Sequence, residues 1–182
     1  MRELWIEDRP VGGDNPTYFI ADIAANHDGA LARAKTLIRL AAEAGADAAK
    51  FQNFRAPEIV SDHGFRSMVG QVSHQSRWSK SVFEVYEDAS IPLEWSAELG
   101  EECDQAGIHY FSSLYDFEAV DKLGWLLPAI KIGSGDITWL EIIERIASKG
   151  KPVLLATGAS ELGEVQRAVD TVLAINPDLV LM

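Results

Sequence analysis

Apolar and polar positions along this chain switch period repeatedly. Tyr18–Ala24 (YFIADIA) is a short, mostly apolar run rich in strand formers, and it predicts a strand. From Leu31 the spacing becomes helical. Leu31, Ala34, Leu37, Ile38, Ala41 and Ala42 share one face, with Arg33, Arg39 and Glu43 opposite. Gly45 can turn left-handed and ends that helix. ADAAKFQ (Ala46–Gln52) then predicts a second strand.

The same alternation returns downstream. Leu93–Ala106 predicts a helix, with Pro92 tolerable at its start and Gly107 after it. IHYFSS is a strand, Phe117–Leu123 a short helix and AIKIGS a strand. Leu140, Ile143, Ile146 and Ala147 mark the next helix, closed by Gly150. KPVLLATG is a strand with Pro152 at its edge. Ser160 is the expected N-cap of a helix built on Leu162, Val165, Val169, Val172 and Leu173, and DLVLM begins a sixth strand. Strands alternating with helices predict a parallel sheet covered by helices, and continuous apolar strands fit burial on both faces. Phe54–Lys80 breaks the rhythm. It is long and polar, and it follows the second strand, which makes it the expected active-site or substrate loop.

Composition narrows the function. The chain has 182 residues, 47% apolar and 24% charged, with a formal net charge of −12. That acidity argues against nucleic acid as a partner. No apolar run approaches the roughly 18 residues of a membrane helix, so no membrane partner is expected. The N-terminus MRELWIEDRP is too polar and acidic for a secretory signal. Cys103 is the single cysteine, which suits a reducing cytoplasm and a place in the core. The five tryptophans are assigned to core and loop packing.

In parallel α/β folds, ligands bind at the carboxyl ends of the strands. Here those ends carry Asp22 with Asn26, His27 and Asp28, then Lys50 and Gln52, then Ser112 and Ser113. Lys131, Ser134 and Asp136 follow around a Gly-Ser-Gly turn, and Thr157 with Gly158 closes the series. Lysines, hydroxyls and turn N–H groups together suit a phosphate or carboxylate. Asp22 and Asp136 are then counter-charges or acid/base groups. Two lysines in buried strands imply an anion shared between them, since an uncompensated buried ammonium costs several kcal/mol. His63 and His74 show no ligand spacing, and no metal motif is visible.

FIADIAANHDG, AGADAAKFQ, FSSLYDFEAVDKL, the block KIGSGDITWLEIIERIASKGKPVLLATGAS, and EVQRAVDTVL together resemble the sialic acid synthase family. That family comprises N-acetylneuraminate synthases and their legionaminic and pseudaminic acid relatives, and the resemblance runs from about Phe19 to Met182. It implies a cytoplasmic, homodimeric enzyme with a (β/α)8 TIM barrel followed by an antifreeze-like domain. Such enzymes condense phosphoenolpyruvate with N-acetylmannosamine or a related amino-sugar aldose and release phosphate. A divalent metal, Mn or Mg, acts as Lewis acid.

By the same resemblance, Asp22, Lys50, Lys131 and Asp136 are the catalytic candidates. Lys50, Gln52, Ser113, Lys131, Ser134 and Thr157 are the substrate-binding ones. Asp22 stands where the family often has Glu. Ala156 stands where many members have a serine, whose role passes to Thr157 or water. A complete barrel needs about 250 residues. Residues 1–182 are therefore expected to be the N-terminal part, about five βα units plus the start of strand six. The C-terminal barrel half, the antifreeze-like domain and the two metal-binding histidines then lie outside the chain, and the isolated chain is expected to be inactive. Two alternatives stay open: an anion- or partner-binding fragment of the same fold, and another phosphate-handling barrel lyase or aldolase. Composition alone also allows a five-stranded doubly wound domain.

Overall fold

The computed structural model describes residues 3–67 and 78–182. Six parallel strands form one sheet: β3 (Ile20–Ala24), β4 (Ala48–Asn53), β5 (His109–Leu114), β6 (Ile130–Ile132), β7 (Val153–Leu155) and β8 (Leu179–Leu181). Their spatial order is their chain order, β3-β4-β5-β6-β7-β8. A doubly wound sheet reverses direction at a switch point. An unbroken sequential order is the progression of a (β/α)8 barrel instead. The doubly wound alternative is thereby removed.

The helices are α1 (Leu31–Glu43), α2 (Ala56–Ile59), α3 (Asp62–Ser67), α4 (Val82–Ala89), α5 (Trp95–Ala106), α6 (Phe117–Leu123), α7 (Leu140–Ala147) and α8 (Leu162–Leu173). Buried Ala34 and Ile38 of α1, Leu99 and Cys103 of α5 and Ile142, Ile143 and Ile146 of α7 meet the outward strand residues Ala49, Phe51, Ile130, Ile132, Val153 and Leu155. Burial pushes the Cys103 thiol up to about 12, so it serves as core filler. Gly107 stops α5 with a left-handed φ of 73°, which costs little without a Cβ.

The inward face of the sheet has its own core. Ala48, Phe111, Ala129 and Leu154 pack there with Leu4 and Ile6. The last two come from a hairpin of β1 (Leu4–Ile6) and β2 (Arg9–Val11), which plugs the N-terminal end of the sheet. Arg9 holds it to Asp47, one residue before β4, at 2.6 Å.

Several sequence expectations are corrected. The hairpin was not anticipated, because its strands are only three residues long and one holds Pro10. Phe54–Lys80 is not simply a loop: its described part contains α2 and α3, while 68–77, including His74, lie outside the described residues. Helix α4 was missed, although Ser81 and Glu84 form a capping box at its start. Glu161 caps α8 through a box with Glu164, not Ser160, whose hydroxyl is buried without a partner. Trp95 and Trp139 pack against the core, but Trp5 and Trp125 are exposed.

Candidate active site

Strand alternation sets which residues can meet. On β4, Ala49, Phe51 and Asn53 point outward, leaving Ala48, Lys50 and Gln52 on the inner face. Parallel register then aligns Gln52 with Ser113 and Ser113 with Lys131, one polar row across three strands. Asp22 is the register partner of Lys50. The register of β3 slips just beyond Asp22, and Ala24 there adopts a left-handed φ of 50°. That conformation is strained for a residue with a Cβ, and such strain gathers at ligand sites.

Behind β4 the end of the strand is fixed by a buried polar network. Asn53 accepts from the Ser112 hydroxyl and from Tyr110, and donates to Ser96 at 3.2 Å. Ser112 therefore serves the core rather than the cleft.

The row opens into a cleft of about 410 Å³. One wall is polar: Gln52, Lys131, the turn Gly133–Asp136, and Tyr115. The other is apolar, with Phe54 at the end of β4, Ile59 and Val60 around the end of α2, Phe65 of α3 and Tyr86 of α4. The expected active-site segment does line this cleft through its described residues.

The two lysines differ. Lys50 is buried, and its ammonium donates to Asp22 Oδ1 at 2.6 Å. Lys131 is half-buried and has no carboxylate within ion-pair distance among the described residues. Burial, and then the charge of Lys50, lower its pKa below the usual lysine value, against the pull of Asp22 and Asp136. Burial raises Asp136 above the usual carboxylate range, opposed by Lys131. The buried Ser113 hydroxyl, between Gln52 and Lys131 in register, makes no hydrogen bond of good geometry, though it lies near enough to the Tyr115 phenol to favour that group's ionised form.

Gln52, Lys131, Ser134 and Asp136 thus share one cleft, with Lys50 and Ser113 buried beside it. Asp22 lies on the far side of Lys50, largely in water. Thr157 stands apart from the cleft lining: its hydroxyl and its amide both donate to the Met182 carbonyl, joining the ends of β7 and β8. Ala156 takes the place on the wall.

Tyr115 was not foreseen. It follows β5, accepts a hydrogen bond from Gln52 at 3.2 Å, and has a phenol pushed up to about 12 by burial and by Asp136. An aromatic placed directly after a strand that carries Ser112 and Ser113 is the signal that could have found it. Among the described residues, no three His, Cys, Asp or Glu side chains gather as a metal would need.

A sequential parallel α/β barrel sheet with a polar, lysine-bearing cleft at its strand ends defines the class. The chain belongs to the NeuB family, whose model matches residues 37–182. It is 32% identical to the human N-acetylneuraminate-9-phosphate synthase over 93% of this chain and 47% of that protein. It is 33% identical to the N,N'-diacetyllegionaminic acid synthase of Legionella pneumophila over 90% of this chain and 46% of that protein. The N-acetylneuraminic acid (sialic acid) synthetase of Leptospira borgpetersenii, solved with citrate, superposes with a TM-score of 0.85. Identity there is 25%, over 99% of this chain and 58% of that one. The chain spans about half the length of the curated relatives it matches.

Proposed function

We propose that this chain carries the phosphoenolpyruvate-binding part of a nonulosonic acid synthase. The reaction joins phosphoenolpyruvate to N-acetylmannosamine or a related amino-sugar aldose and releases phosphate. Lys131, a half-buried ammonium with no carboxylate within ion-pair distance among the described residues, is the observation that supports it most. An anion placed there compensates the desolvated charge.

In this reading Lys131, Ser113, Ser134 and the N–H groups of Ser134 and Gly135 hold the phosphate and carboxylate oxygens, the Asp136 N–H being given to the Gly133 carbonyl. Lys50 adds positive charge from below and is kept in place by Asp22. C3 of phosphoenolpyruvate forms a bond to the aldehyde carbon of the sugar, and the aldehyde oxygen takes up a proton. Water adds at C2 and loses a proton; the new C2 hydroxyl then gives up its own proton to the departing phosphate as C2=O forms and the C2–O bond to phosphate breaks. Asp136, whose raised pKa favours holding a proton, is placed to exchange one at the cleft. Gln52 and Tyr115 orient the acceptor. No step is assigned to the divalent metal that the family resemblance implies, because the described residues offer no cluster to hold it. Homodimer formation and a cytoplasmic location belong to the same proposal.

The test is calorimetric titration of phosphoenolpyruvate into the chain and into Lys131→Ala, with a phosphate-release assay containing N-acetylmannosamine and Mn. Binding that Lys131→Ala abolishes is the expected result. Binding indifferent to Lys131, or none, overturns the proposal. Release without the sugar would point to another phosphate-handling barrel enzyme.

A further inference from the structure

Tyr115 is held from three sides. Its ring meets Phe54 edge-on, with centres 6.0 Å apart. Its amide donates to the Asn53 carbonyl at 3.3 Å, which ties it to the end of β4. Its phenol oxygen accepts from Gln52 Nε2 at 3.2 Å. Ser113 lies near the same oxygen and favours its ionised form, as a donor does. Neither group takes the hydrogen that the phenol itself can give. That hydrogen is left for the cleft, which Tyr115 lines. Packing against Phe54 needs no hydroxyl, and a buried tyrosine normally has a partner for its own.

Asp136 faces the same gap. A Cβ on Gly133 would stand 3.5 Å from the Tyr115 hydroxyl and 3.2 Å from Asp136 Oδ2. The missing side chain leaves a space that both groups border. Burial, and then Asp136, push the phenol up to about 12, so it keeps its hydrogen in the empty cleft. Burial raises Asp136 as well, which favours its acid form. The result is a phenol with donors beside its oxygen and a carboxylic acid across a small gap. Such a group can give a proton, be held as the anion and be recharged.

We infer that Tyr115 is a catalytic residue whose phenol donates to the aldehyde oxygen of the acceptor as C3 of phosphoenolpyruvate bonds to the aldehyde carbon. This rests on the synthase reading above. As the C–C bond forms, the carbonyl π pair moves onto oxygen, and that oxygen takes the phenol hydrogen. The Gln52 N–H and the Ser113 hydroxyl hold the phenolate. Asp136 passes its own proton to the phenolate and takes up the one lost by the water that adds at C2. Tyr115 and Asp136 both end as they began.

The test uses the full chain saturated with phosphoenolpyruvate, with a chelator present so that no metal takes the same oxygen. Titrants are N-acetylmannosaminitol and its 1-deoxy counterpart. The first is an open-chain alcohol whose C1 hydroxyl stands for the aldehyde oxygen after addition; the second has a methyl there. The parent chain is expected to bind the first about tenfold more tightly, the scale of one hydrogen bond. Tyr115→Phe keeps the ring on Phe54 and should bring the two ligands to parity. A loss confined to one ligand atom is not what a packing role produces. Tyr115→Leu reads the same difference should Tyr115→Phe fold poorly. Parity in the parent chain, a preference that survives loss of the phenol, or no binding of the alditol overturns the inference. Absence of phosphoenolpyruvate binding to the parent chain would instead overturn the synthase reading on which it rests.

Discussion

The Lys50 ammonium lies 2.6 Å from Asp22 Oδ1, yet the two side chains differ sharply in exposure, 6% against 62%. The charge that needs a partner is therefore the lysine's. Removing Asp22 strands a buried ammonium, whereas removing Lys50 leaves a carboxylate already in water. Asp22→Asn should lower stability by about 1–3 kcal/mol, the scale of an unpaired buried group. Lys50→Met should cost clearly less. Urea denaturation of both variants checks this, and equal losses would show that the pair is held for the carboxylate. Phosphate should recover part of the Asp22→Asn loss by supplying a replacement anion.

Lys131 presents the opposite case, a charge held without a partner for a ligand to use. Lys131→Met keeps the stem and discards the desolvated ammonium. The empty chain should gain about 1 kcal/mol, as replacements at strained functional positions commonly do. Phosphoenolpyruvate affinity should fall by about a hundredfold or more, the loss of a charge-assisted contact in a dry site. Thermal melting with and without phosphoenolpyruvate reads both effects. A variant that is less stable and still binds would remove Lys131 from the site.

The pH dependence follows from the lowered pKa of Lys131, which burial and Lys50 cause. Between that value and the usual lysine value near about 10.4, the unfolded chain holds a proton that the folded chain has released. Stability from this group therefore rises with pH across that window. Phosphate binding moves the other way. It needs the ammonium, so affinity should fall as pH climbs through the lowered pKa, earlier than an ordinary lysine would allow. Calorimetry in buffers of different ionisation enthalpy should show proton uptake on binding at the upper end of this range. Binding without proton uptake there would place the anion elsewhere.

Asn53 ties the end of β4 to Tyr110, Ser112 and Ser96 inside the core. Asn53→Ala orphans several buried groups at once and should cost about 2–3 kcal/mol. Hydrogen exchange should show the loss concentrated in β4 and β5, where it would loosen the Gln52–Ser113 register. Uniform loss across all strands would assign the network to global stability alone.

The sheet was legible in the sequence because two-sided burial writes parallel strands as apolar runs, and Gly45, Gly107 and Gly150 punctuate the helices between them. All three have positive φ. What stayed hidden has physical causes. The β1–β2 hairpin is too short for periodicity, and its Leu4 and Ile6 are buried only because the barrel floor offers Phe111 and Leu154. Lys50, Lys131, Gln52 and Ser134 were legible as polar residues at strand ends. The pairing of Lys50 with Asp22 depends on register, and the diversion of Thr157 to the Met182 carbonyl depends on where β8 ends beside it. Neither is a property of local sequence. Tyr115 and the apolar wall were missed for the same reason: their roles appear only when Phe54, α2, α3 and α4 come together with Tyr115 at the strand ends.

Gly133 separates a ligand effect from a folding effect. Its φ of −69° and ψ of 151° suit any residue, so its glycine is not required by the backbone. A Cβ there would instead stand 3.2 Å from Asp136 Oδ2 and 3.5 Å from the Tyr115 hydroxyl. The first contact is tighter than ordinary packing, and Asp136 must give way. Gly133→Ala should therefore fold with stability within about 0.5 kcal/mol of the parent, as compatible surface changes do. Its phosphoenolpyruvate affinity should drop by about tenfold, because the shifted carboxylate intrudes on the turn proposed to hold the anion. The tyrosine should report the disturbance as well: its phenol, raised by burial and by Asp136, should titrate lower once the carboxylate moves away. Ultraviolet titration of the phenols beside calorimetric binding gives both readings on one sample. Unchanged affinity with an unchanged phenol would show that the turn absorbs the methyl elsewhere, and that the close approach of Gly133 to Asp136 carries no function.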